Sequence, residues 1–474
     1  MKRIYIVYLL LILVASSCAQ QGMKSVRGKR SVVLTAVAAP QDSTGSPYTI
    51  ELIDTKVKYA PGLQSYGMAV QGQQWLLVGG RTNGFHGTAD SSSAFPTRYS
   101  NKNMFVIDMA AQKSYQLAIP AAYKLQLQST NMACLQDGDY LYCAGGYGST
   151  CATDSPGCYQ TFPNLTAINV PAAIAAITSG DTAGLAKAIT TITDEHMRVT
   201  GGALRKIGDW FYLVMGQNYN QQYKGAVTGI YTEQVRKFNI INTNGQLSIS
   251  NYTAYDAPWD TIYKEQFHRR DLTVAQTIMD DGSAGISVYG GVFTVKGGSG
   301  YQNPVYISQD TEGNTAFALD MGFAQKMNLY ECATVVMYDS TTQNLYTSLI
   351  GGITYYYYDK FGVLQESNLL NFLPFSNNVT TIVRSGSASS RTSVEYPQQT
   401  PALPGYIGSD AEFIPAGNLP KYNHMEKVLD YAQLPAGKTL IGWMYGGILS
   451  TANQSNGFNP TYANNRIYEV YIVK

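Results

Sequence analysis

Five times along the chain an apolar run ends on two adjacent glycines. "WLLVGG" stops at Gly79-Gly80, "YLYCAGG" at Gly145-Gly146, "GISVYGG" at Gly290-Gly291, "YTSLIGG" at Gly351-Gly352 and "IGWMYGG" at Gly446-Gly447. At a sixth place, "WFYLVMGQ", one glycine of the pair survives as Met215-Gly216. A second apolar segment precedes each run, usually across turn residues: Gln71-Gly72, Asp137-Gly138, Gly208-Asp209, Asp281-Gly282 and Ala436-Gly437. Apolar runs joined in this way read as β-hairpins. A unit that recurs along a chain must stack on copies of itself, so the repeat constrains the fold more than any local propensity does.

The unit is larger than the hairpin. "GLQSYGMAV" (62–70) parallels "QLQSTNMAC" (126–134), and "YTIEL" and "SYQLA" stand ahead of them as outer strands. After each glycine pair come a variable loop and a further strand, as in "NKNMFVIDM", "VRKFNII" and "NRIYEVYIV". Four antiparallel strands repeated six times predict an all-β, six-bladed β-propeller over residues 47–474. The 37 Tyr and 45 Gly suit strands and tight turns. The chain ends just after a third strand, whereas "PYTIELIDTK" (47–56) is an outer strand with no hairpin before it. The N-terminal strand is therefore expected to complete the C-terminal blade, which closes the ring and removes an open edge. Two stretches break the pattern. Residues 170–192 are Ala-rich and predict a short helical insertion, and residues 355–421, rich in Pro, Ser, Asn and Gln, predict a long loop insertion.

The double glycines at the ends of second strands resemble those of the kelch-repeat superfamily, over nearly all of residues 47–474. That resemblance implies a propeller and leaves activity open. It also brings into view the periplasmic kelch-type sialic acid epimerases, exported six-bladed rings whose catalytic residues have no counterpart identified in this chain.

Residues 1–17 read as a signal peptide: Lys2 and Arg3, an apolar stretch from Ile4 to Val14, then Ala15-Ser16-Ser17. "LVASSC" resembles the lipobox of bacterial lipoproteins in its Bacteroidetes form, which implies lipidation of Cys18. Cleavage after Ala19, giving a secreted protein, is the other reading. Residues 18–46 would tether the ring, and the expected location is the cell envelope or outside the cell. Export permits disulfides, and Cys151 and Cys158 flank the turn-rich "ATDSPG", which makes them the favoured pair. Cys134, Cys143 and Cys332 lie in strand-like sequence, and their odd number leaves a thiol free.

Lys plus Arg (33) balance Asp plus Glu (32), so nothing marks a nucleic-acid partner, and membrane contact is expected only through the lipid. In a propeller the loops leading into first strands and those leaving second strands share one face. His196, His268 and His424 each precede a first strand in the repeat alignment, and His86 follows the first glycine pair, so all four are expected on that face. Beside them stand Arg81, Arg198, Arg269, Arg270 and Glu426. Two roles compete for these arginines, gripping a carboxylate or sulfate and cross-linking blades through buried carbonyls. Glu195, Asp271, Glu331 and Glu426 are possible acids and bases, with no spacing to pair them. No metal or cofactor is expected, because no motif such as HExxH is present. The loops are Tyr-rich ("QNYNQQYKGAVTGIY", "KGGSGYQNPVY", "TYYYYDK"), and aromatic faces with amide and hydroxyl groups suit a glycan or a protein surface. The expected function is non-catalytic binding of a glycan or protein by a monomer, with a carbohydrate-active enzyme as the alternative.

Overall fold

The computed structural model describes residues 45–474 except 87–93, 225–228, 244, 261–262, 297–298, 368–373, 387–390 and 455–459. The residues read as a signal peptide (1–17), Cys18 and nearly all of the expected tether lie outside the described residues.

Six four-stranded antiparallel units form a six-bladed β-propeller. From the axis outward, blade 1 comprises Gly67–Gln71, Gln74–Val78, Asn103–Asp108 and Lys113–Ala118. Blade 2 comprises Ala133–Asp137, Tyr140–Ala144, Asn164–Asn169 and Ile189–Thr193. Blade 3 comprises Ala203–Ile207, Trp210–Val214, Gln234–Thr243 and Gln246–Asp256. Blade 4 comprises Thr273–Ile278, Ala284–Tyr289, Val305–Gln309 and Thr315–Leu319. Blade 5 comprises Ala333–Asp339, Asn344–Ile350, Val379–Ser385 and Thr392–Gln398. Blade 6 comprises Glu412–Pro415, Lys438–Tyr445 and Ile467–Val473, and its outer strand is Thr49–Asp54 from the other end of the chain. That strand pairs in register from Thr49↔Val473 to Asp54↔Tyr468, which closes the ring. Apolar side chains fill the spaces between blades, as where Val235, Val288 and Ile307 bury against one another.

The glycine pairs are explained by how the blades touch. The second glycine of each pair donates its N–H to a carbonyl just ahead of the next blade's inner strand: Gly80 to Ser129, Gly146 to Val199, Gly216 to Arg269, Gly291 to Leu329, Gly352 to Ile407 and Gly447 to Leu63, all at 2.7–2.9 Å. The first glycine has positive φ and lies against the neighbouring chain. A Cβ on Gly145 (φ 68) would sit 1.9 Å from the Val199 oxygen. Met215 occupies the same slot in blade 3 at φ 53, a strained value for a side-chain-bearing residue. Gly145→Ala is therefore expected to cost about 3 kcal/mol or more, from left-handed backbone and lost contact with the next blade. Gly138→Ala, in an open turn with nothing near its Cβ, should cost only about 1 kcal/mol. Urea denaturation of the two variants measures the difference.

The Ala-rich stretch forms two helices, Val170–Ser179 and Thr182–Lys187, between the third and outer strands of blade 2. Asn169 caps the first by accepting the Ala172 N–H at 3.0 Å, and Gly180 ends it at φ 77. Ile174 and Ile177 pack it onto blades 1 and 2.

Two expectations need correction. Residues 355–421 are not one loop insertion, because they contain the third and outer strands of blade 5, including "VTTIVRS". Polar composition hid these strands: Thr381 and Arg384 are buried, but against the Ser348 hydroxyl and the Ile278 carbonyl. Ala436-Gly437 is also not the tip of a simple hairpin. The inner strand of blade 6 is Glu412–Pro415, and some twenty residues intervene before the second strand begins at Lys438.

Cys151 and Cys158 are bonded, with Cα atoms 5.6 Å apart. Cys134 and Cys143 stand opposite each other on neighbouring strands with sulfurs 2.9 Å apart as thiols, and Cys332 is buried.

Candidate functional site

Each inner strand is led in by a residue at the same slot: Ser65, Asn131, Gly201, Asp271, Glu331 and Asp410. Backbone hydrogen bonds link these residues around the axis. Asn131 N–H donates to Ser65, Gly201 to Asn131, Asp271 to Gly201, Glu331 to Asp271 and Asp410 to Glu331, at 2.7–3.2 Å. A side-chain bond joins the last blade to the first, Ser65 Oγ donating to Asp410 Oδ2 at 3.1 Å. Five of the six have positive φ, which turns the chain sharply and places one small or polar side chain per blade at the axis.

Above this ring lies a narrow cavity of about 30 Å³ with two unlike sides. Blades 1 to 3 supply an aromatic wall of Phe85, His86, Phe95, Tyr147, Tyr219 and Tyr223. Its rings touch in sequence, with His86 4.6 Å from Phe95, Phe95 5.4 Å from Tyr223 and Tyr219 5.5 Å from Tyr223. Blades 4 and 6 supply charge. Arg270 Nη1 donates to Asp271 Oδ2 at 2.5 Å, and the guanidinium lies between Tyr223 and Phe293, 5.8 and 5.2 Å from their centroids. Burial works against the Arg270 charge, but the Asp271 carboxylate together with Tyr219, Tyr223 and Tyr231 outweighs it and holds that charge firmly. Burial, then the charge of Asp271, raises Asp410 to about 7. Burial, then Asp410, holds Glu331 well above the carboxylate range.

Three buried polar atoms of residues lining this cavity have no hydrogen-bond partner among the described residues: Asp410 Oδ1, Gln217 Oε1 and the Tyr219 hydroxyl. Buried polar atoms left unpaired cost stability, so such a cluster marks a place built to receive polar groups. A larger groove of about 250 Å³ runs between blades 2 and 3 beside the disulfide loop, but Arg198 there is already held by Glu195 and the Thr161 carbonyl. The axial cavity is the better candidate, because its unpaired atoms are buried.

Of the residues singled out from sequence, the cavity gathers His86, Arg270 and Asp271. The rest stand elsewhere. Arg81 is buried, but it donates to Asn83 and to the Pro96 carbonyl inside its own blade's loop. Arg269 is fully buried and donates to the carbonyls of Gln266, Gly290 and Asn303, which ties together segments of its own blade rather than neighbouring blades. His196 is exposed, paired with Asp194 at 2.8 Å and stacked on Tyr252 of the outer strand. His268 stacks on Tyr231 and pairs with Glu233 at 2.6 Å, beside the cavity rather than in it. His424 and Glu426 correct the expectation of a single histidine face. They lie in the long connection that leaves the bottom of the blade 6 inner strand, and Val428–Asp430 just after them pairs in parallel with the lower half of the blade 5 inner strand. They therefore sit at the opposite end of the ring, where Glu426 pairs with Lys421. The alignment failed here because the inner strand of blade 6 is only four residues long and weakly apolar.

Sequence reasoning passed over Ser65, Asn131, Gln217 and Asp410. A signal for three of them was present: aligning the six units on their inner strands puts Ser, Asn, Gly, Asp, Glu and Asp in one column.

The raised Asp410 has a consequence for stability. Its carboxyl binds a proton in the folded protein up to about pH 7, whereas an unfolded aspartate releases it near about 4. The stabilisation from this proton is complete below the unfolded value and is lost as pH rises toward 7. Asp410→Asn should thus gain stability relative to wild type on going from pH 5 to pH 8, by a few kcal/mol, as read from urea midpoints at both pH values.

Comparison with known proteins gives little beyond shape. No family model matches the chain, and no curated protein matches it. Among solved structures, one titled "Structure of YjhT" is similar, with a TM-score of 0.45 and 11% sequence identity over 89% of this chain and 99% of that one.

Proposed function

We propose that the protein is an exported binding module, anchored at the cell envelope through a lipid on Cys18, that recognises a carbohydrate at the mouth of the axial cavity. Kinship with kelch-repeat propellers belongs to this reading and rests on the double glycines. One observation carries the choice of ligand: an aromatic wall (Phe95, Tyr147, Tyr219, Tyr223) faces a floor of carboxyl, amide and hydroxyl groups (Asp271, Asp410, Asn131, Ser65). Sugars offer an apolar C–H face for ring stacking and an edge of hydroxyls for hydrogen bonds, and this site presents a surface to each. A glycan array probed with the mature chain is expected to give a defined set of positives. Tyr223→Ala should weaken them at least about tenfold while leaving circular dichroism unchanged. An array without positives would remove the reading.

A second reading, acid–base chemistry on the bound sugar, draws on Asp410. A carboxyl near neutrality beside an ionised Arg270–Asp271 pair has the poise a proton-transfer group needs. Following any array-positive sugar by NMR over hours with the protein present separates binding from turnover. Unchanged spectra leave binding alone.

A further inference from the structure

We infer that the axial cavity receives a free amino group, so that the preferred ligand is an amino sugar held through its ammonium rather than a neutral or acidic sugar. This inference rests on the carbohydrate reading above and narrows it.

The unpaired atoms are of the right kind. Gln217 Oε1 is an acceptor only, and Asp410 Oδ1 becomes one when its carboxyl gives up the proton; both side chains are nine-tenths or more buried, and both residues line the cavity. They call for a group rich in N–H donors, and an ammonium supplies three. The space is also of the right size. About 30 Å³ admits one or two water-sized groups, so an amino substituent can enter while the sugar ring stays above it against the aromatic wall. Those rings favour a cation at their faces as well.

The charge balance points the same way. Asp271, Asp410 and Arg270 line the cavity, and Glu331, Glu412 and Arg205 are their electrostatic neighbours outside that lining. Both arginines are engaged: Arg270 by Asp271, and Arg205 by the carbonyls of Val274 and Leu204 at 2.7 and 2.8 Å. Arg81, Arg198 and Arg269 are equally committed to carbonyls, to Asn83 or to Glu195. An acidic sugar would meet the Asp271 and Asp410 carboxyl groups and a guanidinium already paired with Asp271, whereas an ammonium would meet an unpaired carboxyl oxygen once Asp410 ionises.

Binding of a cation must displace the proton that Asp410 carries. The groups around that carboxyl are Ser65 and Tyr66 of blade 1, Asp271 of blade 4, Tyr330, Glu331 and Cys332 of blade 5, Arg205 of blade 3 and Glu412 of its own blade. Since Asp410 titrates at about 7, affinity for an amino sugar should rise about tenfold between about pH 5.5 and 7, as the carboxylate fraction grows. A neutral sugar should show no such rise.

The test is saturation-transfer NMR with isothermal titration of the mature chain against glucosamine, galactosamine, their N-acetyl forms, glucose, galactose, glucuronate, galacturonate and, as an amine without a sugar, cyclohexylamine. An amino sugar is expected to bind at least about tenfold more tightly than its N-acetyl, neutral and acidic counterparts, and Asp410→Asn should erase that preference. Thermal melting of the variant confirms its fold, and Asp410→Glu, which retains the charge, should keep part of the preference. Equal or tighter binding of neutral, acetylated or acidic sugars overturns the inference and leaves the carbohydrate reading standing. Binding of cyclohexylamine without any sugar upholds the amine site and removes the carbohydrate reading. Binding of none of the nine overturns both.

Discussion

Deleting residues 45–56 is expected to destabilise the whole propeller by about 6 kcal/mol or more and to make it self-associate. The segment supplies the outer strand of blade 6, paired over six positions with Ile467–Val473. Its inward side chains are buried, with Ile50 1% exposed and Tyr48 donating or accepting a 2.8 Å bond with Ser348 of blade 5. Gln398, on the outer strand of blade 5, pairs with both the N–H and the carbonyl of Ile50 at 2.9 Å, so the strand also ties two blades together. Each buried large apolar side chain contributes about 1.5–3 kcal/mol and each net hydrogen bond about 1 kcal/mol, so the sum exceeds the effect of an ordinary point substitution. Loss of the strand also bares the edge of Ile467–Val473, an apolar template for pairing with another chain. Urea denaturation and size-exclusion chromatography read the two effects, and Ile50→Ala should reproduce a milder loss of about 2–4 kcal/mol without association. An unchanged midpoint after deletion would mean that the ring does not depend on this closure.

Arg269→Met is expected to cost about 4 kcal/mol or more, although the residue stands outside the lining of the axial cavity. Its guanidinium is completely buried, pushed down to about 9 by that burial, and no carboxylate compensates it. Carbonyls do so instead: Gln266 at 2.7 Å, Gly290 at 2.9 Å and Asn303 at 2.7 Å, with the Gln266 side chain also accepting and Tyr301 stacked at 4.7 Å. Methionine fills part of the volume but leaves these acceptors unpaired inside the protein, at about 1–3 kcal/mol each. Lysine should not rescue, because a single ammonium cannot span three carbonyls that a planar fork reaches. Arg198→Ala, which breaks the pair with an exposed Glu195, should cost about 1 kcal/mol or less. Denaturant midpoints for the three variants rank these costs, and equal costs for Arg269 and Arg198 would refute the distinction.

That pair of arginines shows where sequence reading stops. Both sit near the start of an inner strand, in "EHMRV" and "FHRRD", and nothing local separates a partly exposed arginine held by Glu195 and one carbonyl from a buried one held by three carbonyls. The difference comes from neighbours more than twenty residues away, Gly290 and Asn303 for Arg269, which the blade fold alone brings near. Arg269 and Arg270, adjacent in the chain, diverge for the same reason: one turns into its own blade and the other faces the axial cavity.

The repeat itself was legible. Glycine at the end of five of the six second strands is a local demand, because a residue without a Cβ takes positive φ against the next blade without the strain that Met215 bears in blade 3. The blade number and the closing role of residues 49–54 followed from counting those demands and noting an outer strand without a hairpin. The strands within 355–421 were not legible, since buried Thr381 and Arg384 pair with other polar groups, which no apolar periodicity records, and the inner strand of blade 6 was missed because it is only four residues long.

The sequence by itself thus determined the ring, through backbone geometry repeated at a fixed place in each unit. Only the tertiary structure decided the site, because Asp271, Asp410, Asn131 and Tyr223 come from different blades and converge only when the sheets are placed around an axis. It also decided that His424 and Glu426 belong to the far end, since the face on which a residue lies depends on the direction of the strand before it, and that strand could be identified only by its partners.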